Sequence, residues 1–172
     1  MHVAEAAMEL PQARFQALLE RNRGIVLKVA RTYCRDPEDR RDLAQEIAAQ
    51  LWRAYPRYDE TRSYSTWMYR IALNVAISHV RSASHRQRLV ASLDDDALSE
   101  IPDPTPHEPD DRLRALYRVI ERLDGLDRAL MLLYLEDRSY REIAEVLGIS
   151  ETNVATKLSR LKQRIRDEFS ED

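Results

Sequence analysis

Residues 139–168 read SYREIAEVLGISETNVATKLSRLKQRIRDE, and this stretch decides the fold of the second half of the chain. Ser139 followed three residues later by Glu142 is the pattern of a capping box, which starts a helix. Gly148 can adopt the left-handed conformation that ends a helix, and Ser150 can cap the next one. The apolar residues of that next helix recur at spacings of three and four: Val154, Leu158, Leu161 and Ile165. Two helices joined by so short a turn form the helix-turn-helix pattern.

The second of these helices carries polar and basic residues away from its apolar stripe. Between residues 152 and 166 it has five bases and no acid. Such a helix can neutralise phosphates and reach guanine edges in the major groove. The pattern therefore predicts contacts with duplex DNA, and a solvated basic face on an ordinary bundle helix is the alternative. The predicted DNA-contacting residues are Asn153, Thr156, Lys157, Ser159, Arg160 and Lys162.

Length and composition narrow the remaining possibilities. A chain of 172 residues, 33% charged and 44% hydrophobic, fits one medium domain or two small soluble ones. Its three glycines are too few and too scattered for phosphate-binding loops or hairpin-rich folds. The single cysteine, Cys34, excludes an internal disulfide and a cysteine-based zinc site, and we expect it to be buried. No apolar run approaches the ~18 residues of a membrane span, so we expect a cytoplasmic protein without membrane insertion.

Charge is segregated along the chain. Residues 1–92 carry a net charge of +5, residues 93–111 carry −8, and residues 112–172 are neutral. The middle segment has four prolines and eight acids but no base, so it cannot pack a core. We therefore predict an all-α protein of two small helical domains, 12–92 and 112–168, joined by a flexible, acidic, proline-rich linker at 93–111. The second would be a four-helix domain that contains the helix-turn-helix.

The first domain has a helical apolar pattern of its own. A helix that starts after Asp36-Pro37 places one stripe inward, and another runs from about residue 65 to about residue 82. The stripe of the earlier helix consists of Leu43, Ile47, Leu51 and Trp52. Residues 61–93 contain five arginines and no acid, interleaved with aromatic residues. Arginines beside stacking aromatics favour single-stranded nucleic acid, although we expect Trp67 itself to belong to the core.

Nothing in the sequence supports catalysis or a metal site. The four histidines are scattered, and no pair has the spacing of helical metal ligands. We therefore expect neither an enzyme nor a cofactor. The histidines are His2, His79, His85 and His107.

Three stretches together resemble a known family. DLAQE at 42–46 and YSTWMYRIALN at 64–74 resemble the second region of bacterial RNA polymerase sigma factors, and SYREIAEVLGIS at 139–150 resembles their fourth region. Two helical domains on an acidic linker are similar to the small extracytoplasmic-function type, group 4 of the sigma-70 family. The resemblance covers about residues 12–93 and 112–168.

The resemblance implies a protein that has no reaction of its own and gives core polymerase its promoter specificity. The helix that matches 38–54 would dock on a coiled coil of the largest polymerase subunit through Asp42, Gln45, Glu46 and Arg53. The loop and helix that match 59–81 would open the minus-ten element and hold its non-template strand. Residues implied there are Tyr64, Ser65, Thr66, Arg70, Asn74, Arg81 and Arg86. The last helix would read the minus-thirty-five duplex, the linker would enter a basic channel of the polymerase, and an anti-sigma factor is a further candidate partner.

One position departs from the family pattern. The family often has an acid before the aspartate that matches Asp42, whereas here Arg41 stands there, preceded by Arg40. Two arginines would weaken a contact with basic residues of the polymerase. Phosphorylation of Thr61 in the nearby loop could restore negative charge and pair with an arginine, and solvated arginines are the alternative.

Two other functions stay open at the level of sequence. A stand-alone helix-turn-helix regulator, dimeric and bound to a palindromic site, would explain 139–166 but leave 38–93 without a role. A module that binds polymerase or an anti-sigma partner without reading DNA would leave the basic last helix without a role.

Overall fold

The computed structural model describes residues 2–91 and 111–170, and the regular structure within those ranges is all helical. The chain divides into two compact units, Met1–Val75 and Ala76–Asp172, and the division falls inside the fourth helix. The all-α prediction is therefore confirmed. The predicted linker lies outside the described residues except for Asp111, so the predicted domain boundaries remain predictions. Across the described ranges, every helix is too short or too polar to cross a membrane.

The third helix begins where the sequence provides a cap. Asp36 caps the third helix, and its side chain accepts the N–H groups of Glu38 and Asp39 at 2.9 and 3.0 Å. Pro37 occupies the first helical position, where a missing N–H has no cost. The fourth helix continues nine residues past the predicted end at 82, since no glycine or proline interrupts it. The elements are α1 (His2–Arg21), α2 (Arg23–Tyr33), α3 (Pro37–Ala54), a 3₁₀ turn (Tyr55–Arg57) and α4 (Tyr64–Ala91).

The core of this part is built by α2, α3 and the start of α4. Leu43, Ile47 and Leu51 of α3 are fully buried, as their spacing predicts. Trp52, predicted on the same stripe, is 43% exposed and packs its ring 5.0 Å from that of Phe15. The stripe prediction was wrong for Trp52 because a position one residue after Leu51 lies about 100° around the helix.

Four helices form the second part, in the predicted order. The capping box of Ser139 and Glu142 is present, and Gly148 has φ 67°, so both local predictions are confirmed. The apolar spacing of Tyr140, Ile143, Ala144 and Leu147 predicts that Tyr140 lies on the buried face of its helix, but it is 38% exposed because it is the first helical residue. The helices are α5 (Asp111–Arg122), α6 (Gly125–Leu135), α7 (Tyr140–Leu147) and α8 (Glu151–Ser170). The side chains that fill the core between them are Leu130, Leu133, Ile143, Val154 and Leu158.

A buried arginine joins α5 to α6. The guanidinium of Arg128 donates to the backbone carbonyls of Glu121 and Leu123 at the end of α5. The last carbonyls of a helix point out of its end, and a cation is favourable at a helix C-terminus. Arg128 therefore fixes the chain between α5 and α6, and α6 contacts α5, α7 and α8.

Candidate nucleic-acid interface

One side of α8 offers a polar face to solvent. Ser150 caps the helix by accepting the N–H of Asn153 at 3.1 Å, which fixes where this face begins. Thr156 is exposed and donates its hydroxyl to the carbonyl of Thr152 at 3.0 Å. The face lies opposite Val154 and Leu158, which are fully buried. Four of the six predicted DNA-contacting residues are exposed on it: Asn153, Thr156, Ser159 and Arg160.

Lys157 and Lys162, the other two predicted residues, are half-buried at the edges of this face. The Lys162 ammonium lies 4.2 Å from the centroid of the Tyr134 ring in α6. Hydrogen bonding to Tyr134 is the main cause that raises the pKa of Lys162. The structure thus gathers four predicted residues on the open face and places these two closer to α6.

The α4 helix carries the second predicted face. Thr66, Arg70, Asn74 and Arg81 follow one another by four, four and seven residues, which aligns them on one side of the helix. Arg70, Asn74 and Arg81 are exposed, and α4 contains no acid. Arg86 is also exposed, but five residues past Arg81 it lies on another side. This face is positively charged, as a surface that follows a DNA backbone needs to be.

Serine side chains organise the start of α4. The hydroxyl oxygens of Ser63 and Ser65 are 3.1 Å apart, and the N–H of Thr66 faces the Ser63 hydroxyl at 3.4 Å. Ser65 and Thr66 are half-buried. Both are therefore placed at the first turn of α4, where they border the loop before it.

An aromatic cluster surrounds that loop. Ring centroids of Tyr58, Tyr64 and Trp67 are 4.9 to 5.3 Å apart. Tyr55 extends the cluster towards Phe15, 5.2 Å away. The Tyr58 hydroxyl donates to the carbonyl of Arg62 at 2.7 Å and so closes the loop. Trp67 is half-buried within this cluster, so it packs against the loop residues and is not part of the fully buried core.

A cavity of about 360 Å³ opens between α1 and the loop. The hydroxyl of Tyr64 is buried and has no hydrogen-bond partner within the described residues, and burial is the main cause that raises its pKa to about 12. An ion pair of 2.9 Å between Arg14 and Glu60 joins the two sides of the cavity. Sequence reasoning missed the contribution of α1, whose only sequence trace is the helical spacing of Arg14, Leu18 and Arg21. The lining residues are Arg14, Ala17, Leu18, Arg21, Tyr58, Glu60 and Tyr64.

The residues predicted to contact polymerase share one exposed side of α3. Glu46 accepts a hydrogen bond from Gln50 at 3.2 Å and lies 4.0 Å from Arg53. Arg41 is exposed beside this side, whereas Arg40 is half-buried and donates its Nε to the carbonyl of Cys34 at 2.8 Å. Arg40 therefore has a structural contact at the end of α2. The predicted residues on the exposed side are Asp42, Gln45, Glu46 and Arg53.

Thr61 lies exposed in the loop before α4. Its hydroxyl and its N–H both donate to the same carboxylate oxygen of Asp59, at 2.7 and 3.0 Å. These two bonds, the hydroxyl first, lower the pKa of Asp59. A negative charge thus stands next to the Thr61 hydroxyl.

The fold defines a class of protein: a two-part helical protein with a helix-turn-helix in its second part. The family model described as sigma-70 region 2 matches residues 18–86, and that described as sigma-70 region 4 matches residues 113–165. Together the two models cover more than two thirds of the chain. The chain belongs to the sigma-70 family of RNA polymerase sigma factors, in its extracytoplasmic-function group.

Individual relatives agree with this assignment. The extracytoplasmic-function sigma factor SigK of Mycobacterium ulcerans is 30% identical over 152 residues, which are 84% of this chain and 73% of SigK. RfaY of Xanthomonas campestris, a probable RNA polymerase sigma factor, is 29% identical over 150 residues, 84% of this chain, but the match spans only 37% of RfaY. The sigma factor RpoE of Bartonella quintana, solved in complex with the anti-sigma factor NepR, has a similar fold. Its TM-score is 0.66 at 15% identity, over 94% of this chain and 97% of that one.

Proposed function

We propose that this protein binds core RNA polymerase, directs it to particular promoters and assists strand opening, with no reaction and no cofactor of its own. The observation that carries this proposal is the pair of exposed faces on α4 and α8 in a chain of this family. As a transcription initiation factor, it would act in the cytoplasm, where bacterial polymerase works.

The α8 face would read the minus-thirty-five duplex. Small polar side chains at Asn153, Thr156 and Ser159 allow close approach to base edges, and Asn can bond adenine in a bidentate manner. Arg160 can reach guanine or a phosphate. The apolar side of the helix stays on the core of α6 and α7, so this face alone is available to the groove.

The α4 face and the cavity would hold the opened minus-ten strand. Arg70 and Arg81 can follow the backbone of the strand, and Asn74 between them can bond a base edge. Tyr58 and Tyr64 line the cavity next to the loop, and the buried Tyr64 hydroxyl has no hydrogen-bond partner within the described residues. An extruded base stacked there would supply that partner and offset part of the cost of unpairing.

Two protein partners are proposed. The exposed side of α3 with Asp42 and Glu46 would dock on the coiled coil of the largest polymerase subunit. An anti-sigma factor is the second proposed partner, supported by the complex of the similar sigma factor RpoE with an anti-sigma factor.

Phosphorylation of Thr61 is proposed as a means of regulation. A phosphate on Thr61 would remove the hydroxyl donor and meet the carboxylate of Asp59, so the loop would have to rearrange. Arg41, which is exposed, is then a better partner for the phosphate than Arg40, which already bonds Cys34. Tighter core binding by Thr61→Glu than by Thr61→Gln would support this proposal, and equal binding would count against it.

Reconstituted transcription tests the main proposal. Purified protein would be added to sigma-free bacterial core polymerase with a pool of promoter fragments, and specific starts would be mapped. We expect starts that are lost with Arg160→Ala or Asn74→Ala. Arg118→Ala, which removes an exposed arginine of α5 and an equal charge, should leave them intact.

The alternatives give different results in the same assay. Core binding without any specific start would favour an interaction module. Tight binding of the free protein to a palindromic duplex, with no binding to core, would favour a stand-alone regulator. Either result would reject the proposed function.

A further inference from the structure

Lys162 is a basic residue of α8 that lies over an aromatic ring of a neighbouring helix. Its ammonium group lies 4.2 Å from the centroid of the Tyr134 ring, and it also interacts with Tyr140. These two tyrosines belong to α6 and to the first turn of α7. The ammonium group thus lies over a ring of α6 and interacts electrostatically with the first residue of α7.

The position of Lys162 on the helix agrees with this contact. It follows the fully buried Leu158 by four residues and the buried Leu161 by one, so it lies beside the apolar stripe. Arg160, by contrast, is exposed and lies about 160° around the helix from Lys162. A side chain that reaches α6 from this position extends away from the open face of α8.

Cations of α8 also act electrostatically on a residue one heptad earlier on α6. Asp127 precedes Tyr134 by seven residues and is therefore on the same side of α6. Its carboxylate is half-buried, and Lys157 and Arg164 of α8 are the cations that act on it and oppose the effect of burial on its pKa. Cations of α8 thus act on α6 at Asp127 through the electrostatic field and at Tyr134 through direct contact with the ring.

We propose that Lys162 is a positioning residue: its ammonium group, seated on Tyr134, sets the orientation of α8 on α6 and so aligns the DNA-reading face, rather than contacting a phosphate. This inference rests on the proposed promoter function and assigns a role to a residue whose charge alone suggested DNA contact. A cation over an aromatic ring and a cation on a phosphate differ in one measurable respect, because only the latter releases counterions when DNA binds.

Two charge-matched variants separate these roles. Lys162→Met and Arg160→Met each remove one positive charge and keep an unbranched side chain of similar length. Full-length protein in holoenzyme would be titrated against promoter DNA and a fragment with a scrambled minus-thirty-five element, across a range of salt. We expect Lys162→Met to lower the preference for the promoter about tenfold with an unchanged slope of log K against log salt. We expect Arg160→Met to reduce the magnitude of that slope by about 0.9, as loss of one phosphate contact does.

Tyr134 provides a test that leaves the charge in place. Tyr134→Leu removes the ring but keeps Lys162, and it should lower promoter preference as Lys162→Met does, with no further loss in the double variant. Lys162→Arg should keep the wild-type preference for the promoter, unlike Lys162→Met, since a guanidinium also binds a ring face. Circular dichroism would show that each variant is folded.

Specific results would overturn the inference. A reduced salt slope for Lys162→Met together with full promoter preference for Tyr134→Leu would make Lys162 a phosphate contact. If wild-type holoenzyme shows no promoter preference, the proposed function fails instead. In that case the double variant is compared in urea unfolding, where additive effects would show that the Lys162–Tyr134 contact does not anchor α8.

Discussion

At the scale of a single residue, Tyr64 lines the cavity of the candidate DNA site, and its buried hydroxyl lowers the stability of the fold. Its hydroxyl is buried next to a cavity and bonds nothing within the described residues. An unsatisfied buried hydroxyl costs stability, and such groups occur where a ligand completes the bonding. A phenylalanine at this position would pack as well without that cost.

We therefore expect Tyr64→Phe to stabilise the first part of the protein while it weakens promoter opening. The expected gain is about 1 kcal/mol at neutral pH, because the substitution removes an unpaired polar group. Urea unfolding followed by tryptophan fluorescence would measure it, since both tryptophans, Trp52 and Trp67, lie in this part. Tyr55→Phe is the matched control, and an equal gain there would contradict the explanation.

The pH dependence of the same variant gives a second readout. The phenol of Tyr64 ionises at pH about 10 when unfolded and at about 12 in the folded protein, so the folded state favours the neutral form. The stabilisation that comes from keeping this phenol neutral is complete below pH 10 and is lost as the pH rises towards 12. The wild type should therefore lose more stability than Tyr64→Phe between pH 9 and pH 11. Equal losses would show that Tyr64 titrates normally.

Arg128, unlike Tyr64, is a buried polar residue that makes hydrogen bonds within the fold, and these bonds offset the cost of burying its charge. It is 9% exposed, and its guanidinium bonds two carbonyls at the end of α5. We expect Arg128→Met to destabilise the second part by about 2–3 kcal/mol, the usual size of hydrogen bonds to a charged group together with the carbonyls left unpaired. Helical circular dichroism should show an earlier unfolding step, while the tryptophan transition should not move. Arg118→Met on the exposed side of α5 should have little effect, and a comparable loss there would argue against a specific role for Arg128.

At the scale of elements, the helix ends of the helix-turn-helix follow from local sequence. The Ser139–Glu142 box joins residues three apart, with bonds of 2.8 and 3.2 Å. The bond from the Ser139 backbone is the main cause that lowers the pKa of Glu142. Its stabilising contribution is therefore full above its ordinary pKa of 4.5 and is lost as the pH falls below that value.

We expect Ser139→Ala to destabilise α7 by about 1 kcal/mol, the usual cost of a lost N-cap.

Glu142→Gln should reduce the acid sensitivity of the second part, measured as the loss of thermal stability between pH 7 and pH 3.5. Glu145→Gln, which alters only an exposed pair with Arg141 at 3.6 Å, is the control. Equal acid sensitivity of both glutamine variants would exclude the box as the cause.

The elements also show why some features could be predicted and others could not. Gly148 and Ser150 act on backbone groups a few residues away, so the chain near them contains all the information needed. Trp52 packs against Phe15, thirty-seven residues earlier in the sequence, so the local pattern could not predict its surroundings. The cavity depends on α1 meeting the loop, a long-range contact that the periodicity of neither segment encodes.

Charge is distributed unevenly at the scale of the whole molecule. The α4 helix has no acid and α8 has five bases between residues 152 and 166, whereas residues 93–111 carry eight acids. Acids tethered to basic faces compete with DNA phosphates for them, because their effective concentration exceeds that of free DNA. The charge of the segment alone leads to this expectation, since all but its last residue lie outside the described residues.

Neutralising the seven acids between 94 and 110 should therefore tighten binding of the free protein to duplex DNA. Asp111 is kept, because it pairs with Arg114 at 3.8 Å in the first turn of α5. We expect about tenfold tighter binding at low salt, with the difference shrinking as ionic strength rises, because exposed charges are screened. Fluorescence anisotropy with a labelled duplex would measure both the affinity and its salt dependence.

Replacing the four prolines of the segment by alanine changes stiffness and not charge, so it should leave affinity unchanged. If the proline variant alone tightens binding, chain stiffness rather than acidic competition restrains the free protein.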